Sequence, residues 1–216
     1  MTYSLNEIEG LCKKAARGSG CSWGMAEEAA KAVRWLVSFD FAGPSSFADL
    51  LALHDKKPRV EFTPATCADV WRGKGGRLCP IASGAALCDY AGLIAWESGV
   101  EMAEVAHPLL LLPFTATTAR TLGQSILVSW GHVHVHVEAN NVWIADPNNE
   151  IDIAAADRVS LRLEQSPEGT PLAPTHRGTI SPDVWAKLNG FAHRTYAPAT
   201  EESRNLGAGA GVSDND

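Results

Sequence analysis

The chain has no CxxC pair, no basic run, no phosphate-binding glycine loop leading into a helix, and no apolar stretch long enough to cross a bilayer. Each absence removes a class of function. The five cysteines, Cys12, Cys21, Cys67, Cys79 and Cys88, are odd in number and match no zinc knuckle, so they read as reduced thiols of a cytosolic protein. A formal net charge of −7 repels phosphate backbones and anionic lipid, so neither nucleic acid nor membrane is expected as a partner. The most apolar stretch, Leu109 to Phe114, is far too short for a span. The opening MTYSLNEIEG lacks the basic start and apolar core of a secretory signal, which places the expected location in the cytoplasm. With no dinucleotide fingerprint, hydrolase or lyase chemistry is a more natural expectation than redox chemistry.

What is present reads as an ordinary globular protein: 216 residues, 45% hydrophobic and 20% charged. That size predicts a single α/β domain over residues 1–206, followed by a Gly-rich acidic tail at 207–216. The first quarter is helical in pattern. Ser4 to Glu7 forms a capping box ahead of Leu5, Ile8, Leu11, Cys12 and Ala15 on one face, with Gly18 as the stop. Ser22 caps a second helix whose apolar face is Met25, Ala29, Val33, Leu36 and Val37, with Glu27 and Glu28 in its first turn. Phe47 to His54 reads as a third, short helix, and Ile81 to Glu97 as a longer one ending near Gly99. The span from Asp55 to Arg77 has no dominant pattern.

The character then turns to β. Pro108 to Phe114 reads as a buried strand, and Ser125 to Ser129, Val133 to Glu138, Val142 to Ala145 and Val159 to Leu163 as further strands. Ala139-Asn140-Asn141 and Asp146 to Asn149 supply turns. After a Pro-rich loop at Gln165 to Gly178, Ser181-Pro182-Asp183 starts a C-terminal helix carrying Val184, Trp185, Leu188 and Phe191. The pattern predicts an α+β fold: a helical N-terminal layer on a mainly antiparallel sheet of three or four strands, closed by a C-terminal helix.

The sharpest candidate for chemistry is the run Gly131 to Glu138. On a strand, side chains alternate, so His132, His134 and His136 share one face and Val133, Val135 and Val137 the other. Three imidazoles with a carboxylate such as Glu138, Asp146, Glu150 or Asp152 would suit a divalent metal such as zinc. The same alternation is also what a half-buried strand needs on its wet face, and a histidine row at a subunit interface would make association pH-sensitive. His107, before the apolar stretch, is a candidate base or a satisfied loop-edge histidine. Arg177 in Thr175-His176-Arg177-Gly178 is a candidate clamp for a substrate carboxylate or an exposed loop residue. Cys79, before Pro80, is a reactive thiol if a helix N-terminus holds it and an inert one if it is simply buried. His193-Arg194 suits a helix C-terminus. The tail is a frayed end, or it presents Asp214 or Asp216 to a metal.

Three stretches carry a resemblance to a bacterial family of unknown function. They are Ser4 to Glu9 with Ala15-Ala16-Arg17-Gly18; Ser22-Trp23-Gly24 with Ala26-Glu27-Glu28-Ala29; and Thr195 to Ala199 with Ser203-Arg204 and the Gly207 to Asp216 tail. That resemblance implies no activity. The opening helices, Ser4 to Leu53, are similar to the first segment of the non-Rossmann malate/L-lactate dehydrogenases, whose Gly-x-Asp-Ser-His-Gly stretch supplies a catalytic histidine. The matching run here is Gly43-Pro44-Ser45-Ser46-Phe47-Ala48, with Phe47 at the histidine position. Phenylalanine transfers no protons, and those enzymes are considerably longer, so hydride transfer is not carried over. The leading expectation is a small-molecule enzyme with the histidine strand in or near its site. The competing one is a non-catalytic accessory subunit of a metabolic enzyme; a homodimer is an expectation under either.

Overall fold

Residues 1–196 are described by a computed structural model, so the tail at 207–216, with Asp214 and Asp216, lies outside the described residues. The element order begins with β1 (Thr2–Ser4), α1 (Leu5–Gly18), α2 (Trp23–Ser38) and α3 (Gly43–His54). A 3-10 turn at Arg59–Glu61 precedes α4 (Pro80–Asp89) and β2 (Val100–Ala106). A second 3-10 turn, Pro108–Leu111, runs directly into α5 (Leu112–Leu122). Then follow β3 (Ile126–Trp130), β4 (Val133–Val137), β5 (Val142–Ala145), β6 (Ala155–Leu163), β7 (Thr170–Leu172), β8 (Arg177–Thr179) and α6 (Pro182–His193).

The helix starts follow from their caps. The Ser4 side chain accepts from the Glu7 backbone N–H while the Glu7 carboxylate accepts from the Ser4 N–H at 2.8 Å, closing the capping box. Ser22 accepts from Met25 N–H and Ser181 from Val184 N–H. Because α2 begins at Trp23, Glu27 and Glu28 fall beyond its first turn. The third helix starts earlier than its apolar pattern indicates, since Pro44 sits in the first turn, where a missing N–H costs nothing.

Six strands form one antiparallel sheet in the order β2-β6-β3-β4-β5-β7, and β1 pairs with β8 in a separate ribbon. Register sets the core face. Val128 faces Val135 and Leu161, Val135 faces Ile144, and Ile126 faces Val137. The valines of β4 are fully buried. Against this face packs α5, and α2 and α4 pack in turn on α5, so the N-terminal helices reach the sheet through it.

Three sequence expectations are corrected. Pro108 to Phe114 is helical, not a strand: Pro108 and Pro113 each suit a first helical turn, and four consecutive leucines at 109–112 are wholly buried because the segment is wrapped on all sides. The helix predicted over Ile81 to Glu97 stops at Asp89; Trp96 Nε1 donates to the Ala91 carbonyl at 2.9 Å, and the chain turns until Gly99, at φ +70, redirects it. The sheet has six strands because β2 and β7 join it, β2 along β6 in register from Val100↔Leu161 to Ala106↔Ala155.

The segment between α3 and α4 is fastened to the sheet. Trp71 N–H donates to the Glu101 carbonyl at 2.8 Å and the Trp71 carbonyl accepts from Ala103 N–H at 2.9 Å; the N–H and carbonyl of Leu78 pair likewise with Glu104 and Ala106. These parallel bridges lay the segment along the outer side of β2. Trp71, 1% exposed, anchors it in the core. The β1–β8 ribbon is equally tight: a Cβ on Gly178 would overlap Val37 Cγ1.

Candidate functional site

Four parts of the chain converge on one cavity of about 590 Å3, within the range of small-molecule sites. Its floor and walls come from small and apolar side chains. Ala29 on α2 and Ala82, Ala85 and Ala86 on α4 leave the space, and Phe47, Leu50 and Leu51 on α3 with Phe62 after the first 3-10 turn enclose it. Where α2 and α4 carry alanine, neighbouring elements cannot close the gap without losing their own packing.

His54, the last residue of α3, is the polar feature of this wall. It is 3% exposed and its ring stacks on Phe62 with centroids 4.1 Å apart and 18° between planes. Its Nε2 is buried and meets no hydrogen-bonding partner. Burial, and then the charges of Arg59, Lys57 and His107, depress its pKa from 6.5 to about 4. At neutral pH it is an uncharged ring with an unsatisfied nitrogen on an apolar wall.

Arg59 lines the same cavity. Its Nη2 donates to the Ser19 carbonyl at 2.8 Å and to Ser19 Oγ at 3.0 Å, and it has no carboxylate partner among the described residues. Arg17, from the end of α1, donates to the Cys21 carbonyl, so two guanidinium groups hold the 19–21 turn at the cavity edge. Cys79, the N-cap of α4, is buried; burial raises its thiol pKa, against the opposing pull of the Ala82 and Ile81 N–H groups and Arg59. Its surroundings favour the thiol over the thiolate nucleophile.

Of the candidate residues picked out from the sequence, Cys79 lines this cavity, while His107, His132, His134, His136, Glu138 and Arg177 do not. His132 is exposed in the turn before β4, which begins at Val133. His134 is exposed, with Nδ1 2.9 Å from Ser129 Oγ. His136 is 3% exposed between Leu127 and Trp143 on the neighbouring strands; burial, above all, lowers its pKa, and its Nδ1 lacks a partner. Among the described residues no three His, Cys, Asp or Glu side chains form a group able to hold a metal ion. Glu138 instead accepts from Asn141 Nδ2 at 3.0 Å across the hairpin, and the Asp146 carboxylate accepts from the Glu150 and Ile151 N–H groups at 2.8 and 2.9 Å. Arg177 is exposed on β8 and donates to the Thr2 carbonyl at 3.4 Å.

His107 is buried at the junction of β2 with the second 3-10 turn, in the left-handed region at φ 43 and ψ 65, where a branched or bulky residue is strained. Its Nδ1 has no partner, and burial lowers its pKa, with Asp49 opposing and Lys187 and Arg77 adding to the fall.

His54 and Arg59 were not picked out because no local motif marks them. His54 ends an apolar helix, and Arg59 lies in the stretch without a pattern; only the packing of α3 against α2, with α4 across the cavity, makes them neighbours of Cys21 and Cys79.

A family model described as a protein of unknown function (DUF3726) matches residues 3–79, from β1 to the N-cap of α4. No curated protein matches the chain by sequence. Among solved structures, malate dehydrogenase from Entamoeba histolytica aligns at 12% identity over 73% of this chain and 48% of that one, with a TM-score of 0.44. This chain thus spans about half the length of that enzyme. Sulfolactate dehydrogenase from Methanocaldococcus jannaschii aligns at 12% identity over 88% of this chain and 68% of that one, with a TM-score of 0.45. Likenesses of this size carry no activity across. Phe47 is 1% exposed on the cavity wall.

Proposed function

We propose that the protein binds a small, largely apolar molecule in the cavity between α2, α3 and α4, with His54 Nε2 as a hydrogen-bonding anchor. The carrying observation is that unpaired ring nitrogen, buried in a residue on the wall of a mostly apolar cavity. A buried polar atom without a partner costs about 1–3 kcal/mol, and native proteins keep few of them. A ligand hydroxyl, amide or carbonyl would supply the missing partner, the donor or acceptor role of Nε2 following the ring's tautomer. The neutral ring lets a ligand enter without desolvating a charge on His54. The proposal keeps the small-molecule partner expected from the histidine pattern and moves it from that strand to the helical layer. Hydrolase or lyase chemistry on His132, His134 and His136 rests on alternation alone, and the rings' separate environments give it no further support.

The test is calorimetric titration with 2-naphthol, a flat apolar probe carrying one hydroxyl. The wild-type protein should bind it saturably at one site. Ala86→Trp, which places an indole into the cavity from α4, should weaken binding by about tenfold or more while circular dichroism stays unchanged. Absence of saturable binding, or equal binding by a folded Ala86→Trp protein, would overturn the proposal.

A further inference from the structure

We infer that the ligand of this cavity is a carboxylate on an apolar body, with Arg59 as the group that selects the anion. The inference rests on the cavity being a binding site and adds the chemical class of what it takes.

The argument starts from Arg59's unused capacity. A guanidinium has five N–H donors in a planar fork. Here only Nη2 is engaged, by the carbonyl and hydroxyl of Ser19, and both acceptors are neutral. Nη1 and Nε meet no protein acceptor among the described residues, and no carboxylate lies within ion-pair distance. Two other arginines show the contrast: Arg34 on α2 is paired with Glu9 at 2.9 Å and Arg194 after α6 with Asp55 at 2.6 Å. Arg59 is half-buried, on a wall whose other charged residue, Asp89, is exposed on α4. A half-buried cation beside apolar side chains is incompletely hydrated, which strengthens its attraction for an anion.

The geometry suits a planar carboxylate. The two bonds to Ser19 fix the Nη2 end of the guanidinium, so Nη1 and Nε are held in place before a ligand arrives, and each can donate a charge-assisted bond to a carboxylate oxygen. The body of the ligand then meets Phe47, Leu50, Leu51 and Phe62. An anion beside Arg59 also offsets one of the charges that depress His54, so occupancy by a carboxylate should raise the titration midpoint of that ring. Burial sets most of that midpoint, and the charged groups that add to it are Arg59 on the 3-10 turn, Lys57 after α3 and His107 before the second 3-10 turn.

The experiment compares 2-naphthoate with its neutral isostere 2-naphthamide by calorimetry near neutral pH, on the wild-type chain, Arg59→Gln and Arg59→Lys. The wild-type protein should prefer the naphthoate by about tenfold or more. Arg59→Gln should bring the two probes to near-equal affinity, with an unchanged circular dichroism spectrum certifying the fold. Arg59→Lys should keep part of the preference, as a mobile point charge in place of fixed donors. Imidazole resonances followed against pH should show the His54 midpoint rising when naphthoate, but not naphthamide, is bound. If both probes bind the wild type equally, the anion class is wrong and the cavity stands. If naphthoate preference survives in Arg59→Gln, the anion is selected elsewhere. If neither probe binds, the cavity itself is not a binding site.

Discussion

Replacing His54 by phenylalanine keeps a flat ring against Phe62 and removes the buried ring nitrogens, so it isolates the thermodynamic cost of that histidine. In the unfolded chain the imidazole takes a proton near its ordinary pKa of 6.5; in the folded protein it resists down to about 4. The folded-state value is the lower one, so the unfolded state binds more protons throughout the interval. Stability held by the neutral ring above pH 6.5 is therefore lost progressively as pH falls toward 4, and the loss levels off below that. Across the whole interval the loss is worth about 3 kcal/mol, since each pKa unit is about 1.4 kcal/mol. His107 and His136 are depressed in the same direction, so wild type and variant both weaken in acid. The difference between them reports His54 alone. Urea melts followed by tryptophan fluorescence at about pH 7, 5.5 and 4.5 should show the two proteins converging or crossing, the variant gaining about 2–3 kcal/mol relative to wild type from the first pH to the last. Parallel curves, with a change in their difference below about 1 kcal/mol, would refute the assignment of His54 as a buried neutral ring.

Two further substitutions test the frame around the cavity. Gly178→Ala drives a methyl group into Val37 Cγ1 and brings it 3.2 Å from Ile8 Cδ1, and should lower stability by about 1–3 kcal/mol in a thermal melt; an unchanged melt would show that β8 can move away from α2. Trp71→Ala removes a side chain that is 1% exposed and should cost about 3–5 kcal/mol, with new proteolytic cleavage between residues 59 and 79; cleavage unchanged from wild type would mean the bridges to β2 hold the segment alone.

The sequence was most legible where one residue decides a local outcome. Ser4, Ser22 and Ser181 mark helix starts because a short side-chain oxygen satisfies a backbone N–H that the helix leaves open. Val133 to Val137 is a strand because its β-branched residues recur every second position and face Val128 and Ile144. Leu109 to Leu112 was misread because a continuous apolar run has no period; burial on every side erases the difference between strand and helix, and only the prolines at 108 and 113 hinted at helix. The alternating histidines gave a sharp pattern with a modest outcome, since His136 lies buried between Leu127 and Trp143 while His134 bonds Ser129 and His132 precedes the strand. The cavity was invisible for a different reason. Alanines at 29, 82, 85 and 86 announce helix, and the space they leave exists only once two helices fail to fill it.

The fastening of residues 71–78 along β2 bears on how this protein can meet others. A border strand with open backbone groups invites a neighbour to zip onto it. Here one border is occupied by the chain's own segment, and the opposite one, β7, is three residues long with Pro171 at its centre, which offers no N–H. Growth of this sheet from molecule to molecule is opposed at both margins, which favours contacts built from side chains on its faces and helices, where specificity is written by shape and charge instead of by backbone pairing.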